Sequence, residues 1–382
     1  MKIAIVIGAR PQIIKAAALS RAIKNVFSTQ IEEIIIHTGQ HFDENMSDIF
    51  FAELQIPMPT FNLNCHAGST DAQMEVMRLK LSSLFTQVNP DAVVVFGDTN
   101  STLAGSLAAY DLHIPLIHIE AGLRSFNIEM PEERNRYESD HLSTLLFAPT
   151  DIAIQNLKDE KLGGGSPPFS KNNPCVFHCG DVMFDNTLFF KELSYSKSHI
   201  LSQLKLENST YILATIHRNF NTDNETRLSA IFEALCEISK HIRVVLPLHP
   251  RTQKAMKMYL KEEQRQKIEN TLSLISPLSF LEMTLLEANC ELIITDSGGV
   301  QKEAFFFKKP SVILRPETEW IEIVTCGAAT LADASYDKIV ADTYMYLHQK
   351  PTYFPEIFGN GKAAEQICQQ IIQWYNSLNN KS

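Results

Sequence analysis

The residues of this chain that could do chemistry stand directly after short apolar runs that are typical of buried strands. In the first half they are Arg10, Lys15, Gln40, His41, Asp98 and Glu120, and in the second half they are His217, Ser297, Gly298, Gly299, Glu303, Arg315 and Glu319. Ligands of open α/β sheets bind outside the carboxyl ends of the strands. Any one of these residues could instead cap a helix or end a solvated loop. Their recurrence at so many strand ends favours a ligand site.

Three carboxylates in the first half are candidates for proton transfer. Asp98 and Glu120 follow successive predicted strands, and Glu132 lies shortly beyond them in a segment that also contains arginines. Acid and base catalysis needs carboxyl groups whose surroundings separate their pKa values, and neighbouring cations provide such surroundings. The alternative is that Glu132 or Glu133 forms a structural ion pair with a nearby arginine, and this interpretation suits Glu133 best.

The segment from Asp296 to Glu303 predicts a phosphate site. It follows an apolar run and opens a helical pattern with two glycines, which permit close approach of the backbone to a ligand. Free N–H groups and the helix dipole favour an anion at such a helix start. Glu303 lies one turn inside, where a carboxylate can bind a ribose diol. A plain N-cap by Asp296 or Ser297 is compatible with this function.

A turn with a single glycine, Gly8-Ala9-Arg10-Pro11, follows the first predicted strand. It matches neither G-x-G-x-x-G nor G-x-x-x-x-G-K-[ST], so dinucleotide-dependent dehydrogenases and P-loop NTPases lose their main support. Arg10 and Lys15 instead resemble cations placed for a diphosphate, although Lys15 could equally be a surface lysine. His217 could donate to a phosphate or act as an acid, whereas a lone histidine is more often a core residue.

A repeated pattern of strands and helices must position these residues. Apolar runs at 3–7, 34–37, 92–96 and 116–119, and then at 212–216, 244–248, 292–295 and 311–314, precede polar residues and helical segments. This pattern predicts an α/β protein of two Rossmann-like domains with parallel sheets, facing each other across a cleft. We expect domains at 1–185 and 186–362, with a loop at 162–168 near the boundary, and a C-terminal helix at 363–382 that packs back on the first domain.

Composition excludes several broad classes of protein. The chain has 382 residues, 45% of them apolar, and 34 basic against 44 acidic residues give a net charge of −10. These values fit a two-domain enzyme and argue against broad binding to nucleic acid or anionic membranes. No apolar run is long enough for a membrane span or a signal peptide. Seven scattered cysteines without a C-x-x-C pair predict reduced thiols, no structural metal and a cytoplasmic location.

Several motifs in a fixed order make the chain similar to a known family. They are Gly8-Ala9-Arg10-Pro11-Gln12-Ile13-Ile14-Lys15, Thr38-Gly39-Gln40-His41, Gly97-Asp98-Thr99, His118-Ile119-Glu120-Ala121-Gly122-Leu123-Arg124, Pro131-Glu132-Glu133-Arg134-Asn135-Arg136, His217-Arg218, Leu248-His249-Pro250 and Thr295-Asp296-Ser297-Gly298-Gly299. Each motif alone is weak evidence, but their joint order is specific. From about residue 1 to about residue 375 the chain resembles the non-hydrolysing UDP-N-acetylglucosamine 2-epimerases, which have a glycosyltransferase-B-like fold.

This resemblance implies inversion at C2 of a UDP-2-acetamido sugar without NAD or an obligatory metal. UDP would leave by elimination as the C2 proton is removed, and the product would be a bound 2-acetamidoglucal. UDP would then add back while C2 is reprotonated on the other face. Such chemistry requires a base and an acid on opposite faces of the sugar, donors that stabilise the departing diphosphate, and a closed site.

The resemblance also implies roles for individual residues. Asp98, Glu120 and Glu132 look like the family's essential carboxylates, and His217 looks like its catalytic or diphosphate-contacting histidine. The implied substrate-binding residues are Arg10, Lys15, Phe280, Met283, Ser297, Gly298, Gly299, Glu303, Arg315, Thr318 and Glu319. Among these, Phe280 and Met283 would pack the uracil, although both could be ordinary helix core. Gln40 and His41 match a second UDP-sugar site that activates many bacterial members, and a homodimer is the expected assembly.

Some positions depart from the common family pattern. Ala9 and Gln12 stand where Thr and Glu are usual, the residues after His217-Arg218 lack the usual acidic residue, and Trp320 replaces an arginine found in many members. These variants resemble a subgroup that acts on modified sugars, including UDP-2,3-diacetamido-2,3-dideoxyglucuronic acid. The other hypotheses are a hydrolysing 2-epimerase that releases N-acetylmannosamine and UDP, a glycosyltransferase of the same fold, and an inactive UDP-sugar-binding regulator.

Overall fold

The chain folds into two compact units. A computed structural model describes residues 1–40, 51, 55, 57–65 and 70–379. Unit 1 comprises residues 1–186 and 356–382, and unit 2 comprises residues 187–355. The chain therefore passes from unit 1 to unit 2 and returns, so that the C-terminal segment belongs to unit 1.

Unit 1 is built on a seven-stranded sheet in which every pair of neighbouring strands is parallel. The strands are β1 (Lys2–Ile7), β2 (Glu32–His37), β3 (Phe61–Asn62), β4 (Ala92–Phe96), β5 (Leu116–Ile119), β6 (Leu145–Ala148) and β7 (Cys175–His178), in the spatial order β3-β2-β1-β4-β5-β6-β7. The helices are α1 (Arg10–Ala22), continued by a π-helical turn at Ile23–Phe27, α2 (Thr70–Val88), α3 (Asn100–Asp111), α4 (Pro131–Leu142), α5 (Asp151–Asp159) and α6 (Val182–Lys197). The unit boundary falls within α6.

Unit 2 contains a second parallel sheet, of six strands. Its strands are β8 (Tyr211–Thr215), β9 (Arg243–Pro247), β10 (Ser273–Ile275), β11 (Leu292–Thr295), β12 (Ser311–Ile313) and β13 (Ala329–Leu331), in the order β10-β9-β8-β11-β12-β13. Its helices are α7 (Ile200–Gln203), α8 (Asn219–Thr222), α9 (Glu225–Ile238), α10 (Pro250–Tyr259), α11 (Glu262–Thr271), α12 (Phe280–Asn289), α13 (Gly298–Phe306), α14 (Ile321–Thr325) and α15 (Tyr336–His348).

The central strands owe their position to continuous apolar sequence. Every residue of β4 and of the run Ile3–Ile7 is fully buried, as are all residues of β11. A strand with helices on both faces has no solvent-facing side, so it cannot alternate apolar with polar residues. The α/β class and the two parallel sheets predicted from these runs are confirmed.

The two sheets share one strand order, and this order creates the same kind of crevice in each. The direction of winding reverses between β1 and β4 in unit 1 and between β8 and β11 in unit 2. Ligands of doubly wound sheets bind at such switch points, beside the carboxyl ends of the two strands. We therefore expect function at the residues that follow these four strands.

The C-terminal helix α16 (Ala363–Asn379) packs against α1 within unit 1. The Asp185 carboxylate fixes its start by accepting hydrogen bonds from the backbone N–H groups of Ala363 (3.0 Å) and Ala364 (2.8 Å). Burial nevertheless raises the pKa of Asp185 to about 6.

In the described part of the chain, no helix combines the length and apolar character required to cross a bilayer.

A paired glycine experiment tests the packing around the turn after β5. Gly122 has φ +80°, and a Cβ there would lie 2.4 Å from the Ala153 carbonyl oxygen in α5; Gly164 has the same φ but open space around it. Gly164→Ala should cost about 1 kcal/mol of unfolding free energy because of its left-handed backbone. Gly122→Ala should cost about 3 kcal/mol because overpacking adds to the same strain. Thermal unfolding followed by circular dichroism should show the larger loss of stability for Gly122→Ala. Equal losses in the two variants would mean that α5 does not restrict the side chain at position 122.

Candidate functional site

Asp98 lies at the switch point of unit 1, two residues beyond β4. Its carboxylate forms an ion pair with Arg136 of α4, and its carbonyl oxygen accepts a hydrogen bond from the Asn135 side chain (3.0 Å). The same amide nitrogen donates to the Asn100 side chain (3.1 Å). These contacts hold the Asp98 carboxylate beside a cation, as the sequence predicted for a group that handles protons.

Glu120 follows β5, the next strand of the sheet, and has an unusual backbone conformation. Its φ of +72° lies in the left-handed region, which residues with a Cβ seldom adopt and which tends to occur at functional sites. The Glu120 carboxylate forms an ion pair with Lys15 of α1, and both side chains are largely buried. Lys15 is therefore not an ordinary surface lysine, because it bridges the helix after β1 to the turn after β5.

Glu132 and Glu133 begin α4 but have different surroundings. Glu133 is buried and accepts hydrogen bonds from the backbone N–H groups of Ser125 (2.8 Å) and Phe126 (2.9 Å), and it also approaches Arg136 at 3.3 Å. Glu132 is exposed, and within the described residues no basic side chain pairs with it. The structure thus gives Glu133 the structural role and leaves Glu132 available to a ligand.

A buried network behind these carboxylates was missed by sequence reasoning. The Asp140 carboxylate, on α4, lies 2.7 Å from His118 Nδ1 and 2.8 Å from an Arg124 nitrogen, and it accepts a hydrogen bond from the Gly122 N–H (3.1 Å). The other ring nitrogen of His118 lies 2.8 Å from the Gly97 carbonyl oxygen. Burial alone would raise the pKa of Asp140, but His118 and Arg124 outweigh it and hold the pKa below its ordinary value.

Two glutamines fix the loops around the start of α1 and α3. Gln12 is buried, accepts from the Gly8 (2.9 Å) and Ala9 (3.2 Å) N–H groups, and donates to the Phe96 carbonyl oxygen (3.1 Å). Gln12 therefore connects the turn after β1 to the end of β4. Arg10 follows this turn as the first residue of α1, and its side chain is exposed. Gln40 accepts from the Ser101 N–H (2.9 Å), and its predicted companion His41 lies outside the described residues.

Asp296 organises the switch point of unit 2. Its fully buried carboxylate accepts hydrogen bonds from the backbone N–H groups of His217 (3.0 Å) and Arg218 (3.0 Å) and from the Asn221 side chain (3.1 Å). The His217 ring lies 3.5 Å from the same carboxylate and 5.6 Å, centre to centre, from the His249 ring. Burial lowers the pKa of His217, and the nearby charge of Arg218 adds to this effect although Asp296 opposes it.

The helix α13 begins beside this carboxylate with Gly298 and Gly299. Ser297 is the N-cap residue, but its side chain makes no capping hydrogen bond, and Asp296 turns toward β8 instead. The interpretation of either side chain as a plain N-cap is therefore wrong. The first backbone N–H groups of this nine-residue helix therefore receive no hydrogen bond from the Ser297 side chain. An anion can accept hydrogen bonds from such N–H groups.

The segment after β12 packs against the start of α13. Glu319 forms an ion pair with Arg315 (2.8 Å), and a Cβ on Gly298 would lie 2.4 Å from a Glu319 carboxylate oxygen. Thr318 donates to the Gln301 side chain (2.5 Å), and the Trp320 indole N–H donates to the Gly298 carbonyl oxygen (3.0 Å). The structure thus brings Gly298, Arg315, Thr318 and Glu319 together, and a side chain at position 298 would require the Glu319 carboxylate to move.

Glu303 lies in the second turn of α13, close to Glu287 of α12. Burial raises the pKa of Glu303 to about 7, although Lys302 opposes the shift. Burial raises the pKa of the fully buried Glu287 well above its ordinary value, and the charge of Glu303 adds to the shift. Both shifts favour the protonated form, and a protonated carboxyl group can donate a hydrogen bond to a hydroxyl group as well as accept one from it.

Phe280 and Met283 of α12 contribute to the packing of unit 2. The Phe280 ring meets the buried Phe190 ring edge to face at 5.1 Å, and Met283 packs against the core around Leu285 and Ile293. Both side chains are partly exposed, so neither packing role prevents contact with a ligand.

Among the described residues, no group of three or more His, Cys, Asp or Glu side chains could hold a metal ion, and all seven cysteines are free.

Two doubly wound parallel sheets, each with charged residues at its switch point, define an α/β enzyme of the glycosyltransferase-B-like kind. A family model described as UDP-N-acetylglucosamine 2-epimerase matches residues 24–372. The chain therefore belongs to the UDP-N-acetylglucosamine 2-epimerase family.

Relatives and solved structures support this assignment along nearly the whole chain. A UDP-2,3-diacetamido-2,3-dideoxy-D-glucuronate 2-epimerase of Pseudomonas aeruginosa is 45% identical, covering 98% of this chain and all of the relative. The structure of a Methanocaldococcus jannaschii UDP-GlcNAc 2-epimerase with UDP-GlcNAc and UDP is 39% identical, with a TM-score of 0.79 over 97% of this chain and 99% of that one. A Neisseria meningitidis UDP-GlcNAc 2-epimerase bound to UDP-GlcNAc is 28% identical, with a TM-score of 0.81 over 98% and 100%.

The buried network predicts how Asp140 affects stability. Asp140→Asn should lower the unfolding free energy by about 3 kcal/mol at pH 7, because removing one member of a buried ion pair leaves the others uncompensated. A carboxyl with a depressed pKa stabilises the fold above its unfolded pKa, and this stability is lost as the pH falls through the folded value. Wild type should therefore lose stability below about pH 4 more steeply than the variant does.

Thermal midpoints measured between pH 3 and pH 8 test this expectation. The matched control is Asp223→Asn, since Asp223 is paired with Arg251 at the surface and should have a much smaller effect. Equal midpoint losses for the two variants at pH 7 would show that the buried network does not stabilise unit 1.

Proposed function

We propose that the protein inverts C2 of a UDP-2-acetamido sugar, of the UDP-GlcNAc and UDP-ManNAc type or a modified relative. The observation that carries this proposal is the pair of carboxylates after β4 and β5, Asp98 and Glu120, each held against a cation. The C2 hydrogen of such a sugar is a weak acid, so its removal needs a positioned base and its return needs a positioned acid. Family membership makes this reaction the best-supported use of the site.

In the proposed reaction, one set of residues transfers the C2 proton and another set binds UDP. Asp98, Glu120 and the exposed Glu132 remove and return the C2 proton, and the ion pairs with Lys15 and Arg136 position Glu120 and Asp98. Ser297, Gly298, Gly299, Arg10 and His217 stabilise the UDP that leaves C1 as the glucal forms, since backbone N–H groups at a helix start and nearby cations favour a diphosphate. Glu303 binds the ribose, Phe280 and Met283 pack the uracil, and Arg315, Thr318 and Glu319 line the same binding region.

The sugar itself has two candidates. Relatives named UDP-GlcNAc 2-epimerase favour UDP-GlcNAc, whereas the 45% identical relative is named for a diacetamido glucuronate. The uronate is supported by the high identity of that relative along the whole chain. A hydrolysing enzyme would release ManNAc and UDP, and analysis of the products separates this outcome, because UDP remains attached in the proposed reaction.

We further propose a cytoplasmic homodimer with a second UDP-sugar site at Gln40 and His41. Free, mostly buried thiols support a reducing compartment. The family resemblance supports the dimer and the second site. Size-exclusion chromatography with light scattering tests the assembly, and a mass of a single 43.1 kDa chain would contradict it.

Incubation with UDP-sugars in D2O tests the reaction directly. Wild-type protein should place deuterium at C2 and form the inverted isomer of UDP-GlcNAc or the diacetamido uronate, because the returning proton comes from a group that exchanges with solvent. Proton NMR measures both the deuterium and the isomer. Absence of deuterium in every UDP-acetamido sugar offered would overturn the proposed function.

A pair of glutamate variants on α4 tests the assignment of Glu132. Glu132→Gln should reduce turnover about 100-fold while UDP still binds, because a proton-transfer group supplies roughly that factor. Glu138→Gln is the control, since Glu138 lies on the same helix and pairs with Arg134 at the surface. Its turnover should match wild type, and similar turnover in both variants would remove Glu132 from the reaction.

A further inference from the structure

Trp320 is a buried residue of unit 2 that has no role in the proposed reaction as described so far. It is one of the two tryptophans of the chain, 7% of its surface is exposed, and it stands where many members of the family have arginine. A buried indole usually finds an acceptor for its N–H group. The acceptor of Trp320 lies at the helix start that is proposed to bind the diphosphate.

The indole N–H of Trp320 donates a hydrogen bond of 3.0 Å to the carbonyl oxygen of Gly298. Gly298 is the first residue of α13, and its carbonyl group belongs to the same peptide unit as the Gly299 N–H. Because a peptide unit is planar, a donor that fixes the carbonyl oxygen also fixes the direction of the N–H group at the other end. The Trp320 indole therefore helps to set the orientation of the Gly299 N–H.

The two consecutive glycines give this peptide unit little restraint of their own. Glycine has more backbone freedom than any other residue, and here a glycine stands on each side of the unit. A Cβ on Gly299 would have Ser297 Oγ as its nearest tertiary neighbour, at 4.0 Å, and the Ser297 side chain makes no capping hydrogen bond. A hydrogen bond from outside the helix thus contributes a restraint that the glycines lack.

The Trp320 side chain can provide this restraint because Trp320 is itself held against α13. Its backbone N–H donates to the Thr318 hydroxyl oxygen (3.1 Å), and the Thr318 hydroxyl donates to the Gln301 side chain of α13 (2.5 Å). The Lys302 ammonium lies 4.2 Å from the centre of the indole ring, in a cation–π contact. The segment after β12 and the first turns of α13 therefore hold the indole between them.

We propose that Trp320 is a positioning residue for the diphosphate, because its indole N–H holds the Gly298–Gly299 peptide unit with the Gly299 N–H directed to the phosphate oxygens of UDP. The first N–H groups of a helix have no acceptor within the helix and suit an anion. A donor that is oriented before the ligand arrives loses less freedom when the ligand binds. The inference rests on the proposed function and adds a residue that lies outside the shared motifs.

Removal of the indole N–H with the aromatic ring retained tests this role. Trp320→Phe keeps a ring beside the Lys302 ammonium, and a tryptophan analogue with sulfur in place of the N–H, inserted at position 320, also keeps the shape of the indole. Trp374→Phe is the matched control, because Trp374 of α16 is also buried and its indole N–H has no hydrogen-bond partner among the described residues.

Two ligands separate the diphosphate from the nucleoside. Calorimetry measures the affinity of each protein for UDP, and saturation-transfer NMR at millimolar concentration measures its affinity for uridine, which lacks both phosphates. Each change at position 320 should weaken binding of UDP about three- to tenfold, the range for one hydrogen bond between uncharged groups. Uridine binding should change by less than about twofold, since uridine has no phosphate to accept from the Gly299 N–H. The control should bind both ligands as wild type does.

Unchanged affinity for UDP in the two proteins altered at position 320 would overturn the inference. Equal weakening of UDP and uridine would also overturn it, because Trp320 would then support the whole nucleotide site and not the diphosphate donors. Deuterium at C2 of the UDP-sugar is a separate readout on wild-type protein. A selective loss of UDP affinity at position 320, in a protein whose wild type incorporates no deuterium, would reject the proposed function alone.

Discussion

The arrangement of unit 1 depends on one buried carboxylate, Asp140. It joins His118, Arg124 and the Gly122 N–H, and His118 reaches on to the Gly97 carbonyl oxygen. The turn that carries Asp98, the turn that carries Glu120 and the helix that carries Glu132 therefore meet at one ion-pair network. A buried charge that loses its partners destabilises the fold, so this network also limits how far the two turns and the helix can move apart.

In unit 2, the buried carboxylate of Asp296 has the role that Asp140 has in unit 1. Asp296 is fully buried and binds the backbone after β8, and it thereby joins the two strands that flank the switch point. Because Asp296 is occupied with β8, the start of α13 keeps N–H groups that no N-cap side chain satisfies. One buried acid thus fixes His217 and frees a helix start for an anion.

The sequence predicted the central strands because continuous apolar runs are a local signal, and the polar residues at the strand ends, which are also local, suggested the candidate site residues. The short strands β3, β6, β7, β10 and β13 were not predicted, since runs of two to four residues at or near sheet edges carry little pattern. The Asp140 and Asp296 networks were not predicted either. The partners of Asp140 lie one or two elements away, with His118 22 positions before it, and His217 and Asp296 are 79 positions apart, so the packing of separate elements brings each network together.

The central claim is that UDP detaches from C1 and returns within one turnover while the carboxylates move the C2 proton. The most direct test uses a UDP-sugar labelled with ¹⁸O in the oxygen that bridges C1 and phosphorus, and it follows the label by ³¹P NMR during epimerisation. Detached UDP can rotate its terminal phosphate, so the label should move to non-bridging positions of that phosphate. Inverted product that keeps all of its ¹⁸O in the bridge would contradict the claim.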